Sequence, residues 1–387
     1  MPDVGPTYRR LVAEARAQTL ALTRRSLADL DRYVASLLAA LVEEADRASG
    51  ANAERLAARS RAMRAFLGRV RARIEALEGD AREAAQIMGE GHATAVRTVA
   101  DAAGRQIIVE SMFETVPERA VEALLKRRQL AIGEGLSSYA QLFRSVAASA
   151  TEGVLEEIDG ALVRGVARGA DSRTVALQIA EALTDGRPDL RAAVERLAPS
   201  LRRSGRTLSG RGERVIEAED LQEARELLVR SRRIARTELL DAARAGDAEA
   251  AHLSPIVAAL RWTLSGNHPP TGCECELFAR VDLYGMGEGV FPTNAYPTGP
   301  HPHCGCYSRA VTRGPDEWDL PKPPASAPAT LDAYPFETRS RTDDGPGLAY
   351  TEAHKARVLR SANAQLRLAL RDVSVETPRA GPRAVPA

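Results

Sequence analysis

The chain has 387 residues, with 53 lysines and arginines against 52 aspartates and glutamates and a formal net charge of +1. So balanced a charge excludes recruitment to nucleic acid or membrane by bulk electrostatics and leaves only local patches to act, and no apolar run is long enough to span a bilayer. Aromatic residues are 4% of the chain, while Ala, Leu, Arg and Glu dominate, so the fold class is mainly α.

The first ten residues lack the apolar core of a signal peptide, which predicts assembly in a cytosol. Residues 7–48 read as one long helix. Leu27, Leu30, Val34, Leu37 and Leu41 recur at three- and four-residue steps, and Ser49-Gly50 stops it. Residues 52–88 repeat the pattern with Leu56, Met63, Leu67, Val70, Ile74 and Leu77 on a heptad-like stripe. Arg55, Arg59, Arg61, Arg64, Arg69, Arg71 and Arg73 decorate its other faces, diluted by Glu54, Glu75, Glu78 and Glu83. Such mixed charge reads as a solvated face of a helical pair rather than a DNA-phosphate surface. Residues 1–115 thus form a long N-terminal helical arm or hairpin, expected to project from the rest and to dock on a larger assembly. On that reading, removing residues 1–90 leaves the C-terminal module folded.

A central helical domain is predicted over 116–217. Thr115-Val116-Pro117 starts a helix with Pro in the first turn. Helical segments follow over 117–131 and 136–164, broken at Gly133 and Gly135. Gly169-Ala170-Asp171-Ser172 opens a further helix through Val175, Ile179 and Leu183, which Gly186-Arg187-Pro188 ends. Residues 200–213 are basic, rich in Gly and Ser, and read as a loop. Residues 218–245 form a long basic helix containing R-R-I-A-R-T-E, Arg232 to Glu238. These charges are either ordinary surface or a brace for the module that follows.

That module, 218–313, carries the chemistry. All 4 cysteines lie in two C-x-C pairs, Cys273/Cys275 and Cys304/Cys306, and 4 of the 6 histidines (His252, His268, His301, His303) fall in or beside the same stretch. Paired soft ligands around a Gly/Pro-rich loop suit a tetrahedral metal, and a small α+β module stapled by one structural Zn²⁺ is the leading reading. The candidate ligands are Cys273, Cys275, Cys304, Cys306 and His301. C-x-C is tighter than the C-x₂-C of ribbons, so His301, His303 or His268 can replace one thiolate. Two disulfides or free thiols are the alternatives. Replacing Cys304 by serine is expected to unfold the module and spare the helices around 27–77. Gly285-Met286-Gly287-Glu288-Gly289 opens no helix and reads as a turn, not a phosphate cradle. The sequence has no G-x-S-x-G, H-E-x-x-H, P-loop or zinc-deaminase motif, and four thiols in two pairs favour a closed site over the open one of a catalytic zinc. After residue 313 the chain is Pro-rich: a linker and flexible tail over 314–387, with a short helix within 351–372 through Val358, Leu359, Leu366 and Leu370.

The order Arg236-Thr237-Glu238, Trp262, the first cysteine pair, D-L-Y-G-M-G-E-G-V-F-P at Asp282–Pro292 and P-H-P-H-C-G-C at Pro300–Cys306 resembles the Mu F-like phage head morphogenesis (minor capsid) family over about residues 225–310. The chain departs from it in having C-x-C where the family has C-x₂-C, and Gly305 where it has arginine. The resemblance implies a non-enzymatic minor head protein that associates with the portal protein or the major capsid and procapsid proteins during head assembly, DNA packaging or ejection, with at most a weak DNA contact. It implies a place in the virion, inside the capsid or at the portal, after assembly in the host cytoplasm, and an oligomeric state set by that assembly. Two other readings stand beside it: a zinc-ribbon nucleic-acid-binding protein, and a zinc-dependent hydrolase using Glu274 or Asp282 as base.

Overall fold

The computed structural model describes residues 4–47, 53–107, 109, 113–132, 172–185, 187–199, 222–266, 268, 273–298, 304–322, 331 and 352–369, with isolated positions between 141 and 208. The fold is mainly helical with one small sheet. Helix α1 spans Gly5–Arg47 and α2 spans Ala53–Ala102; then come α3 (Val116–Ile132), α4 (Ser172–Thr184), α5 (Pro188–Leu197) and α6 (Gln222–Leu253). The sheet follows, with β1 (Val257–Thr263), α7 (Glu274–Arg280), β2 (Val290–Pro292), a 3₁₀ turn (Thr293–Ala295) and β3 (Tyr307–Thr312). A second 3₁₀ turn (Pro315–Glu317) and α8 (Glu352–Ala369) complete it. Among the described residues, no helix is long and apolar enough to cross a membrane.

Packing groups these elements by long-range contact, not by consecutive segments. One unit gathers residues 1–22, 80–136 and 237–387; the other gathers 23–79 and 137–236. Helices α1, α2 and α6 each contribute to both. In the second unit the stripe read from the sequence is the core: Leu30, Val34 and Leu41 of α1 and Val70, Ile74 and Leu77 of α2 are buried, as are Val175, Ile179 and Leu183 of α4. Leu190 and Val194 of α5 are buried too. Pro188 does not simply end α4; it starts α5, because proline at the first helical position lacks only an N–H that would be unpaired anyway. Asp31 of α1 accepts from Arg187, 2.6 Å away, and from Arg232 of the R-R-I-A-R-T-E run. Arg71 pairs with Glu75 at 3.0 Å, as a solvated, charge-compensated face should, whereas Arg73 is largely covered and faces Asp29 at 3.9 Å. The side chains of Leu56, Met63, Leu67 and Arg55 to Arg64 lie outside the described residues, as do nearly all of 136–164 and 200–213.

In the first unit the start of the chain is core and not a projecting arm. Tyr8, Val12 and Ala15 are buried, as are Ala84, Ala85 and Met88 of α2. Helix α2 runs 14 residues beyond the predicted stop at 88, through Gly89 and Gly91. Glycine inside a helix costs about 1 kcal/mol relative to alanine, and tertiary contact offsets it here. A Cβ at Gly91 would collide with the Cβ of Ala15, and one at Gly89 would lie 3.2 Å from Val116. Gly246 plays the same part between α6 and α2, since a Cβ there would come within 2.8 Å of the Ala85 backbone. Gly246→Ala is therefore expected to destabilise by about 1–3 kcal/mol through overpacking, against the usual helix propensity. Gly79→Ala in α2, with nothing within 4 Å of the new methyl, is expected to stabilise by about 0.5–1 kcal/mol. Urea-unfolding midpoints of the two variants should move in opposite directions.

The sheet has order β2-β1-β3 with both pairings antiparallel. It packs an aromatic cluster that collects many of this chain's few rings. Trp262 stacks on Tyr296 at 5.5 Å and meets Phe278 edge-on at 5.3 Å; Phe291 contacts Phe278, Tyr284 and Tyr296 at 6.0, 6.1 and 5.9 Å. Gly285 to Gly289 form a turn that leads into β2, as the glycines predict. Gly285, Gly287 and Gly289 have φ of +67°, +104° and +69°, a region glycine alone enters without strain. Asp282 Oδ1 accepts the Met286 N–H at 2.9 Å. The segment after β3 is more firmly fixed than its prolines suggest. Trp318 is buried, and Lys322 donates to the carbonyls of Ala251 (2.8 Å) and His252 at the C-terminus of α6, where a cation is favoured. Burial, then the nearby Arg313 charge, holds that ammonium well below the ordinary lysine range. Helix α8 buries Val358, Ala362 and Leu366, and its Asn363 accepts the Leu331 N–H at 2.8 Å.

Candidate metal centre

The C-x-C pairs arrive from two sides. Cys273 caps the N-terminus of α7 in extended conformation (φ −95°, ψ 174°), which puts Cys275 in the first turn, pointing inward and fully buried. Cys304 and Cys306 precede β3 and are buried as well. Extended backbone sends alternate side chains to opposite faces, so Cys304 and Cys306, on the chain leading into β3, can keep both sulfurs on one side. The Cys275 and Cys304 sulfurs lie 3.3 Å apart, and the Cys306 amide donates to the Cys304 sulfur at 3.4 Å. His268 joins them from the loop after β1, with Nε2 3.1 Å from the Cys273 sulfur and Nδ1 4.0 Å from the Glu276 carboxylate.

The donor atoms of His268, Cys275 and Cys306 all lie within 4.8 Å of one another. A tetrahedral ion with metal–sulfur bonds of about 2.3 Å spaces its donors roughly 3.5–3.8 Å apart. The cluster is thus within a small side-chain adjustment of a coordination shell, and it can hold a metal ion. No disulfide joins any of the four cysteines; the 3.3 Å between Cys275 and Cys304 is far longer than the ~2.05 Å of a disulfide. Hydrogen bonds with Cys273, Cys304 and Cys306, and then burial, push the Cys275 thiol far above the ordinary range. For Cys306, the bond with Cys275 lowers the pKa, but the bond with Cys304 and burial outweigh it, and the thiol is pushed up to about 11. Sulfurs sharing one dry space cannot all ionise unless a cation joins them, and a coordinated divalent metal reverses that preference.

Arg244 of α6 holds the second pair in place. Its Nε donates to the Cys306 carbonyl at 3.1 Å, Nη2 to the Cys304 carbonyl, and Nη1 to Asp241 at 2.9 Å. Burial lowers its pKa, but Cys304 and the Asp241 carboxylate outweigh that, so the charge is retained. The brace for the cysteines on this helix is therefore Arg244, two turns beyond the motif arginine; Arg236 is exposed, while Thr237 and Glu238 are buried. Beside it lies a second buried polar group that no motif announces. Tyr8 Oη is 2.6 Å from His92 Nδ1 and donates to Ser254 Oγ at 3.2 Å, and His92 Nε2 is 2.7 Å from Asp247. Arg16 reaches Asp247 at 3.4 Å and donates to the Ser308 carbonyl at 2.8 Å. His92 and Asp247 each follow one of the glycines that draw the helices together, which brings short side chains within bonding range.

Of the residues proposed from sequence, Cys275, Cys304 and Cys306 converge, and Cys273 sits half-exposed at the margin against His268. His301 and His303 lie outside the described residues. His252 points elsewhere, with Nδ1 3.2 Å from Thr293 Oγ1. Among the described residues, His268 is the proposed substitute ligand that the fold brings to the cluster. Comparison with protein-family models, curated proteins and solved structures returned no match for this chain.

Proposed function

We propose that the chain is a non-enzymatic head-assembly protein of a phage or related particle, in which one structural Zn²⁺ staples the module that begins on α6. The observation that carries the structural role is closure. Cys275, Cys304 and Cys306 are at most 2% exposed, and Arg244 occupies the carbonyls of the second pair. A catalytic zinc keeps a position open to water, whereas a structural one is enclosed by its ligands. Asp282, a base in the hydrolase reading, is engaged in its own turn. Zinc fits the soft, mixed sulfur and nitrogen donor set. The choice of portal or procapsid as partner, and of the virion as destination, rests on the order of motifs from Arg236 to Cys306 and on their resemblance to Mu F-like proteins. In its support, Thr237, Glu238, Trp262, the glycine turn and both cysteine pairs all belong to one packed unit.

Co-expression with the structural proteins encoded beside it, followed by pull-down and compositional analysis of assembled particles, tests this reading. The chain is expected in the particle or bound to its portal. Its absence from every assembled particle overturns the proposal.

A further inference from the structure

Arg261 of β1 and Arg309 of β3 stand directly opposite each other in the antiparallel register, both exposed and on the same face of the sheet. Side chains so placed have Cβ atoms about 4.5–5.5 Å apart, and like charges there are destabilising. Arg9 of α1 joins them, and the three line a groove of about 320 Å³ together with Ala310, Val311 and Thr312. Nearby arginines of the same unit are neutralised: Arg16 by Asp247, Arg105 by Asp319, Arg244 by Asp241. None of the groove's three has an ion-pair partner among the described residues. Two arginines in cross-strand register, without an ion-pair partner among the described residues and with a third lining the same groove, suit an anion between them.

We propose that this groove binds the phosphodiester backbone of nucleic acid. Planar guanidinium forks suit both phosphate and carboxylate, so the choice rests on the rest of the lining. Protein–protein hot spots need a large apolar or aromatic anchor seated in a pocket, and besides its arginines the groove is lined only by Ala310, Val311 and Thr312. Backbone phosphates need nothing more than the charges. Binding is then independent of sequence and strongly dependent on salt. The inference stands on the groove alone and survives failure of the assembly reading.

The experiment uses the full chain and a mixed-sequence duplex DNA of about 20 base pairs, a length chosen to cover one or two helical turns, with binding followed by fluorescence anisotropy across a salt series. Arg261→Gln/Arg309→Gln is expected to weaken binding at low salt at least tenfold and to flatten the logarithmic salt slope by about 2, roughly one for each phosphate no longer neutralised. The double variant should melt no lower than the parent, since it removes a like-charged pair. If it fails to fold, Arg9→Gln must by itself flatten the slope by about 1. Arg71→Gln, remote in sequence and paired with Glu75, is expected to leave binding unchanged. An equal loss in that control, no DNA binding at low salt, or binding of polyglutamate in preference to DNA each overturns the proposal.

Discussion

Replacing Cys275 by serine is expected to abolish stoichiometric metal binding and to unfold the unit that contains the sheet. Protein purified without chelator should carry about one zinc per chain, the content of a structural site. The variant should lose at least 100-fold in zinc affinity, more than the 10–100-fold typical of losing an outer-shell partner. Cys275 is chosen because it links both parts of the cluster: it touches Cys304 at 3.3 Å, lies with His268 and Cys306 inside 4.8 Å, and is fully buried. Structural zinc supplies about 10–16 kcal/mol in small peptide modules. The aromatic cluster around Trp262 means that less is at stake here, yet enough that elemental analysis and melting should fail together. Cys273→Ser and His268→Ala then identify the fourth donor, because the one that coordinates lowers zinc content and the other does not. A wild-type chain free of metal, with its four cysteines in two disulfides after rapid alkylation, would show that the staple is covalent.

The second large effect is expected at Arg244. Arg244→Met removes the donors for the carbonyls of Cys304 and Cys306 and takes a buried positive charge from beside Asp241, which is only 3% exposed. Deleting one partner of a buried ion pair costs about 3–5 kcal/mol, because the remaining charge stays in a low-dielectric site. Zinc affinity should fall by about 10–100-fold as well, since the backbone that aims two ligands is released. Asp241→Asn in the same chain should recover part of the stability but none of the aim, so denaturant unfolding and zinc competition separate the two roles. Unchanged stability in Arg244→Met would mean that the cysteine segment is held by the metal alone.

The helical class and the buried stripe from Leu30 to Leu77 were legible because each depends on local spacing, and the convergence of Cys275 with Cys304 and Cys306, though 29 residues apart, was legible from the shared chemistry of the two pairs. The 3.6-residue period places Val70, Ile74 and Leu77 on one face whatever lies opposite. The rest is non-local. Helix α2 passes through Gly89 and Gly91 because Val116 and Ala15 lie against them, and neither neighbour is close in sequence. Arg244 looks like any surface arginine of a basic helix until the cysteine segment returns to it some 60 residues later. His268 was one histidine among several in a Pro-rich stretch, and its contact with Cys273, like its place beside Cys275 and Cys306, is not announced by spacing. The tail misled in the other direction: proline content says that a segment lacks regular structure, and Trp318 and Lys322 show that such a segment can still be anchored by single side chains.

The Tyr8–Ser254 bond closes a span of 246 residues. A ribosome adding about 5–20 residues per second needs on the order of 10–50 s to deliver Ser254 after Tyr8 has emerged. Tyr8 and Ala15 gain their first partners when α2 brings His92 and Gly91 into place, and until then the first turns of α1 stand open to solvent. The unit that holds the metal cluster cannot close before α6 and β3 have followed, with its opening helix waiting for its closing sheet, and any protein that shields a nascent amphipathic helix would act on this chain at residues 5–22.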